Sequence, residues 1–119
     1  MRPASFSRAL RLLEPTEFSH VFQSGARSCD ACFVVLACGS GGGTARLGLA
    51  VAKKSVAGSA ARVRIKRTVR ESFRRVRAQL PAVDIVVQAR PAAAKRENAE
   101  LRASLDWHWQ ELIKRCKAS

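Results

Sequence analysis

The segment Arg62-Val63-Arg64-Ile65-Lys66-Arg67-Thr68-Val69-Arg70-Glu71-Ser72-Phe73-Arg74-Arg75 holds seven basic residues and one acid, yet keeps a regular apolar pattern. An α-helix turns about 100° per residue, so Ile65, Val69, Phe73 and Val76 share an arc of roughly 80°. Arg62, Lys66, Arg70 and Arg74 follow one another at i, i+4 steps beside that arc, with Arg67 and Arg77 close by. The spacing predicts a helix from about Ser59 to about Ala78 that docks one face on a core and offers a ridge of cations on the other. Such a face suits a polyanion.

The 119 residues predict one domain, since two would each be too small to bury a useful core. With 47% hydrophobic residues the chain can fold, so the basic excess is not a disordered tail. A formal net charge of +13 costs self-repulsion in the folded state, and a polyanionic partner is the usual reason to tolerate it. Nucleic acid is favoured over an anionic membrane, because the basic helix carries Arg more than Lys and its narrow apolar arc is needed for packing. No run approaches the ~20 apolar residues of a membrane span. Residues 1–13 are basic but lack the apolar stretch of a secretory signal, and they read as a flexible N-terminal arm of a cytoplasmic protein.

Pro15 suits the first turn of a helix and Gly25 the position past its end, with Phe18, Val21 and Phe22 on one face between them. Residues 31–38 form a continuous apolar run rich in strand formers, and residues 46–52 form a second. The glycines at 39 and 41–43 between them most simply make a β-hairpin loop; no Gly-Lys-Ser/Thr closes a phosphate-binding P-loop. Ser59 is placed to cap the basic helix, which should stop before Pro81. Residues 83–89 predict a third, central strand ended by Arg90-Pro91. Asn98 is placed to cap a terminal helix with Leu101, Leu105, His108 and Leu112 on one side and Trp107 opposite. The order helix, strands, helix, strand, helix gives an α+β class: a compact two-layer α/β sandwich of three or four strands with helices against the sheet.

Cys29-Asp30-Ala31-Cys32 has the spacing of a zinc half-site, but neither His20 nor His108 completes it at a recognised spacing. Reduced, small hydrophobic cysteines are the better reading of all four. The acids are Glu14, Glu17, Asp30, Glu71, Asp84, Glu97, Glu100, Asp106 and Glu111. Asp84 opens a strand, Glu71 is an intrahelical partner for Arg67, Arg74 or Arg75, and the rest are solubilising charges. Nothing gathers them into the cluster that a Mg²⁺-dependent nuclease requires. Nor does a local signature join Ser, His and Asp into a nucleophilic site. His108, set among leucines, reads as a packed neutral imidazole. Phe18, Phe22 and Phe33 are either core or the wall of a cleft where unpaired bases stack at ~1–3 kcal/mol each. Both hold if the rings line the edge of the core. Binding, with no catalytic residue, is the default.

Taken in order, these segments resemble the protein component of bacterial ribonuclease P over almost the whole chain. The match includes Glu17-Phe18-x-x-Val21-Phe22-x-x-Gly25 and the strand Arg46-Leu47-Gly48-Leu49-Ala50-Val51-Ala52-Lys53-Lys54. It continues with Arg62-Val63-Arg64-Ile65-Lys66-Arg67-x-x-Arg70-Glu71 and Asp84-Ile85-Val86-Val87-x-Ala89-Arg90-Pro91. The basic-helix motif combined with a strand ending in two lysines is the specific part.

The resemblance implies a ribosomal protein S5 domain 2-like fold with a left-handed βαβ crossover, a rare hand. It also implies a division of labour, in which a catalytic RNA holding most of the Mg²⁺ removes the 5′ leader of precursor tRNA. The protein binds that RNA and the single-stranded leader, with no firmly bound metal, no membrane and no obligate protein partner. On this resemblance Arg62, Arg64, Lys66, Arg67, Arg70 and Arg74 of the basic helix and Arg46, Lys53 and Lys54 of the strand bind RNA. Arg62, Lys66 and Arg70 lie nearest the packed arc and face the leader, while Arg64 and Arg67 grip the RNA subunit. Phe18, Phe22 and Phe33 line the leader cleft. The chain departs from the family at Val63, where Asn is usual, and at Leu36, where many members carry Tyr. The alternatives are a general RNA-binding or ribosome-associated protein without a role in cleavage, a protein-only nuclease and, more distantly, a DNA-binding helix.

Overall fold

The computed structural model describes residues 26–39, 45–80 and 83–118, with side chains to residue 114. The arm at 1–13, the helix expected between Pro15 and Gly25, and most of the glycine loop lie outside the described residues. The described elements are β1 (Ala26–Cys29), β2 (Phe33–Gly39), β3 (Arg46–Ala50), α1 (Ser59–Val76), β4 (Val83–Ala89) and α2 (Asn98–Ala118), with 3₁₀ turns at Arg77–Gln79 and Pro91–Lys95. The four strands order as β1-β2-β4-β3, antiparallel except for the parallel pair β3 and β4.

Residues 83–89 are Val-Asp-Ile-Val-Val-Gln-Ala, and five consecutive positions, Val83 to Val87, are buried. A strand buried on both faces needs a hydrogen-bonded neighbour on each side, because an edge leaves a row of backbone groups unpaired. β4 therefore takes the centre, as its composition predicts. That placement overturns the hairpin expected of β2 and β3: β4 lies between them, and the glycine-rich segment joins strands that do not pair. β1 has no sequence signature of its own. It is four residues long with only Ser28 buried, and it exists through its pairing with β2, Ala26 opposite Ala37 to Cys29 opposite Val34.

Both described helices pack on one face of this sheet. Ile65, Val69 and Phe73 of α1 and Leu101, Leu105, Trp109 and Leu112 of α2 share a core with Phe33, Val35, Ile85 and Val87. Val76, the fourth residue of the expected arc, is only half-buried, while Thr68 and Ser72 join the buried face. Trp109 Nε1 donates to Ser72 Oγ at 2.8 Å, and its ring meets Phe73 edge-on with centroids 6.1 Å apart. The opposite face of the sheet carries a smaller apolar group, Val34, Leu36 and Val86 with Cys38 and Ala50 beside it.

Neither expected cap is made as the sequence suggests. Gly58 occupies the N-cap of α1 without a side-chain bond, and Ser59 is the first helical residue. At α2, the Glu100 carboxylate accepts from the Glu97 backbone N–H at 3.5 Å, half of a capping box. Asn98 gives its side-chain oxygen to Arg64 instead.

Asp30 is no solubilising charge. In the turn between β1 and β2 its Oδ1 accepts the backbone N–H of Cys32 and of Phe33, both at 2.9 Å, and Oδ2 accepts the Ser104 hydroxyl. His108, fully buried as expected, shares a hydrogen bond with Ser28 through Nδ1 at 2.7 Å. Its Nε2 lies 3.3 Å from Asp30 Oδ1, out of line for a hydrogen bond. Burial pulls the His108 pKa below its ordinary 6.5, against the opposing pull of Asp30 and Glu111. Burial raises that of Asp30, but the hydrogen bonds from Ser104, Phe33 and Cys32, with the His108 ring close by, outweigh it and hold the carboxyl below its ordinary 3.8.

Both depressed pKa values mean that the unfolded chain takes up protons before the folded one. Stability should therefore fall on acidification, first below about pH 6.5 as the unfolded state protonates at His108, and again below about pH 3.8 through Asp30. Denaturant melts between about pH 7 and pH 2 check this, and His108→Asn should flatten the upper phase. Ile65→Asp places an unpaired charge in the core and should destabilise by several kcal/mol. Val63→Asp, at a site 55% exposed, should stay within about 0.5 kcal/mol; equal losses would mean that α1 is turned the wrong way.

Candidate nucleic-acid interface

Seating Ile65, Val69 and Phe73 in the core turns Val63, Arg67 and Arg74 outward, with Lys66 and Arg70 half-buried at the border. Arg75 and Arg77, both beyond the Arg62–Glu71 motif shared with the family, are exposed as well. Lys66, Arg67, Arg74, Arg75 and Arg77 make no side-chain hydrogen bond or ion pair among the described residues. Glu71, expected to pair with Arg67, Arg74 or Arg75, also makes none and stays exposed. Lys53 and Lys54 are exposed in the turn that follows β3.

The remaining cations of the motif are already occupied. Arg64 Nη1 donates to Asn98 Oδ1 at 2.8 Å and Nη2 to the Ala94 carbonyl at 3.3 Å, so it ties α1 to the start of α2. Arg62 Nη1 donates to the carbonyls of Val56 and Ala57 at 2.9 and 2.7 Å. Arg46 forms a two-pronged pair with Asp84, Nε to Oδ1 and Nη2 to Oδ2, each 2.8 Å. The two residues stand opposite each other on the parallel strands β3 and β4, and the carboxylate of Asp84 is nearly buried. A bidentate guanidinium gives such a carboxylate two charge-assisted hydrogen bonds in a fixed geometry. Arg46 therefore has a structural partner that its place in the motif does not reveal.

Phe33 is the clearest correction. Its side chain is 0% exposed in the core shared with the helices, so it cannot stack on bases as a cleft wall. Side chains alternate along a strand. Phe33, Val35 and Ala37 enter the helix-side core, while Val34, Leu36 and Cys38 face the other way with Val86. Leu36 is thus on the face opposite to Phe33. Phe18 and Phe22 lie outside the described residues. Trp109 shares the Leu105 and Leu112 stripe by its i+4 and i−3 spacing, a signal that Trp107 diverts; Trp107 is the exposed one, at 48%.

Cys29 is exposed and Cys32 buried. Among the described residues no group of three or more His, Cys, Asp or Glu could hold a metal ion. Both inward carboxylates, Asp30 and Asp84, are already taken up by hydrogen bonds. No helix among the described residues is long and apolar enough to cross a membrane.

Known proteins share this arrangement. The ribonuclease P family model matches residues 6–113. The ribonuclease P protein component of Thioalkalivibrio sulfidiphilus is 43% identical over 111 residues, covering 93% of this chain and 92% of its own length. That of Methylococcus capsulatus is 44% identical over 114 residues, covering 96% and 89%. The structure of the Staphylococcus aureus RNase P protein superposes with a TM-score of 0.81 at 30% identity over 90% of this chain and 97% of its own. The Thermotoga maritima protein gives 0.75 at 30% identity over 85% and 96%. Proteins of this family associate with the ribonuclease P RNA and take part in its endonuclease activity. With its sheet, its basic helix and its sequence all matching along nearly the full length, the chain belongs to the ribonuclease P protein family.

Proposed function

We propose that this chain is the RNA-clamping subunit of ribonuclease P. In this reading it binds the catalytic RNA through the outward face of α1 and the Lys53–Lys54 turn, and helps to hold the single-stranded 5′ leader of precursor tRNA. The observation that carries the reading is the set of cations with no partner among the described residues: Lys66, Arg67 and Arg74, joined by Arg75 and Arg77. An Arg or Lys left in water on a rigid helix is ready to displace counterions from RNA at little conformational cost. The chemistry itself, removal of the leader by hydrolysis of a phosphodiester, belongs in this reading to the RNA and the Mg²⁺ bound there.

The leader would lie along the face of the sheet opposite α1 and α2, on the side of Val34, Leu36 and Val86. Bringing leader and catalytic RNA together sets phosphate against phosphate, and interposed cations lower that repulsion. Cytoplasmic residence follows from this role.

The deciding measurement is the affinity of the assembled particle, this protein with a bacterial ribonuclease P RNA, for precursor and for mature tRNA. Precursor should bind more tightly, and the advantage should vanish when the leader is trimmed; equal affinities would leave a general RNA-binding protein without a leader role. Single changes of Lys66, Arg67 or Arg74 to Ala should weaken RNA binding, lower the salt slope by about one each and leave the melting temperature unchanged. Dependence on the protein should also decline as salt or Mg²⁺ is raised. A dependence unchanged from low to high Mg²⁺ would contradict the charge-screening part of the role.

A further inference from the structure

Arg62 opens the basic motif, yet its guanidinium points back along the chain. One nitrogen, Nη1, donates to both the Val56 and the Ala57 carbonyl, at 2.9 and 2.7 Å. Those carbonyls belong to the connector between β3 and α1. Immediately before them, the Ala52 carbonyl accepts the N–H of Ser55 at 3.1 Å and of Val56 at 2.9 Å, closing a turn with Lys53 and Lys54 at its apex. Val56 is 1% exposed and anchored in the core. The turn is thus held at one end by a buried valine and braced from the helix by Arg62. Two like charges at a turn apex repel each other, and Arg62 is the side chain that ties the connector carrying them to α1.

We propose that Arg62 is a positioning residue, whose clamp on the Val56 and Ala57 carbonyls holds the Lys53–Lys54 turn beside the cationic face of α1 so that both engage one RNA surface. This rests on the RNA-binding reading above, and it assigns Arg62 a role exerted through Lys53 and Lys54. Lysine is no substitute here, because its ammonium stands one bond closer to the backbone than Nη1 and falls short of the two carbonyls. At a direct phosphate contact, by contrast, a lysine would preserve most of the charge effect.

The test is a double-mutant cycle on affinity for a bacterial ribonuclease P RNA, using the full chain. It combines Arg62→Ala and Arg62→Lys with Lys53→Ala/Lys54→Ala, and amide exchange at Ser55 and Val56 is followed in the free protein. Removing both lysines should lower the salt slope by about two. Arg62→Ala should weaken binding about tenfold with the lysines present and less than about twofold once they are gone, the coupling expected of residues that act through one another. Arg62→Lys should behave as Arg62→Ala and should likewise speed exchange at Ser55 and Val56. It also completes the cycle if the alanine variant unfolds. Additive losses, or full rescue by Lys, would overturn the positioning role and make Arg62 a direct contact while leaving the lysine turn in the interface. Equal losses in both backgrounds with a lowered melting temperature would reduce Arg62 to a purely structural residue. If the lysine change alone has no effect, the turn is not part of the interface, and the inference falls together with that part of the functional reading.

Discussion

Everything in this molecule depends on seating a highly charged helix by one narrow face. Ile65, Val69 and Phe73 have to be buried, and the only apolar residues of α1 that pack beside them, Ala61 and Val76, are half-buried. Burying a side chain of that size contributes about 1.5–3 kcal/mol, so three of them outweigh the mutual repulsion of cations left in water, where screening is strong. The parallel pair of β3 and β4 supplies the seat, because α1 is the connection between them and cannot dock far from either. Trp109, bonded to Ser72 and stacked edge-on against Phe73, fixes its rotation from the side of α2. The direction in which the cations point follows from those contacts.

The acids are distributed to complement this. Asp30 and Asp84 are turned inward, one organising the turn between β1 and β2, the other neutralised by Arg46 across the parallel strands. A chain of net charge +13 that ties two carboxylates to its own donors, one of them buried, has fewer free acids to offset its basic surface. Charged residues inside are therefore consistent with a binding surface outside: each internal carboxylate stabilises a local structure and none is available to the solvent face of α1. Arg46, Arg62 and Arg64, all in the motifs shared with the family, are tied to protein groups and shape the platform that carries the exposed cations of α1.

The amphipathic period of α1, the central position of β4, the buried imidazole of His108 and the exposed Trp107 were all legible in the chain. Each depends on the spacing of residue types along one element, and spacing is a local property. Family membership was legible for the same reason, since its signature is a set of short motifs in order. The pairing of strands was not. Whether β2 meets β3 or β4 depends on which neighbour buries the most backbone, a comparison among segments far apart in sequence, and the glycines at 41–43 favoured the wrong one.

The side-chain partners of the cations were invisible for a related reason. A guanidinium reaches several ångströms from its own backbone, so the partner of Arg64 is set by where α2 begins and that of Arg46 by the register of β3 on β4. Phe33 shows the limit most simply: its place in an apolar run says that it is buried, but only the sheet decides on which face. The sequence by itself determined the elements, the excess of positive charge and the family, because composition and period are carried by the residues themselves. The tertiary structure alone decided which cations are tied to protein groups, as Arg46, Arg62 and Arg64 are, and which stay exposed, because hydrogen-bond partners are chosen by distance in space.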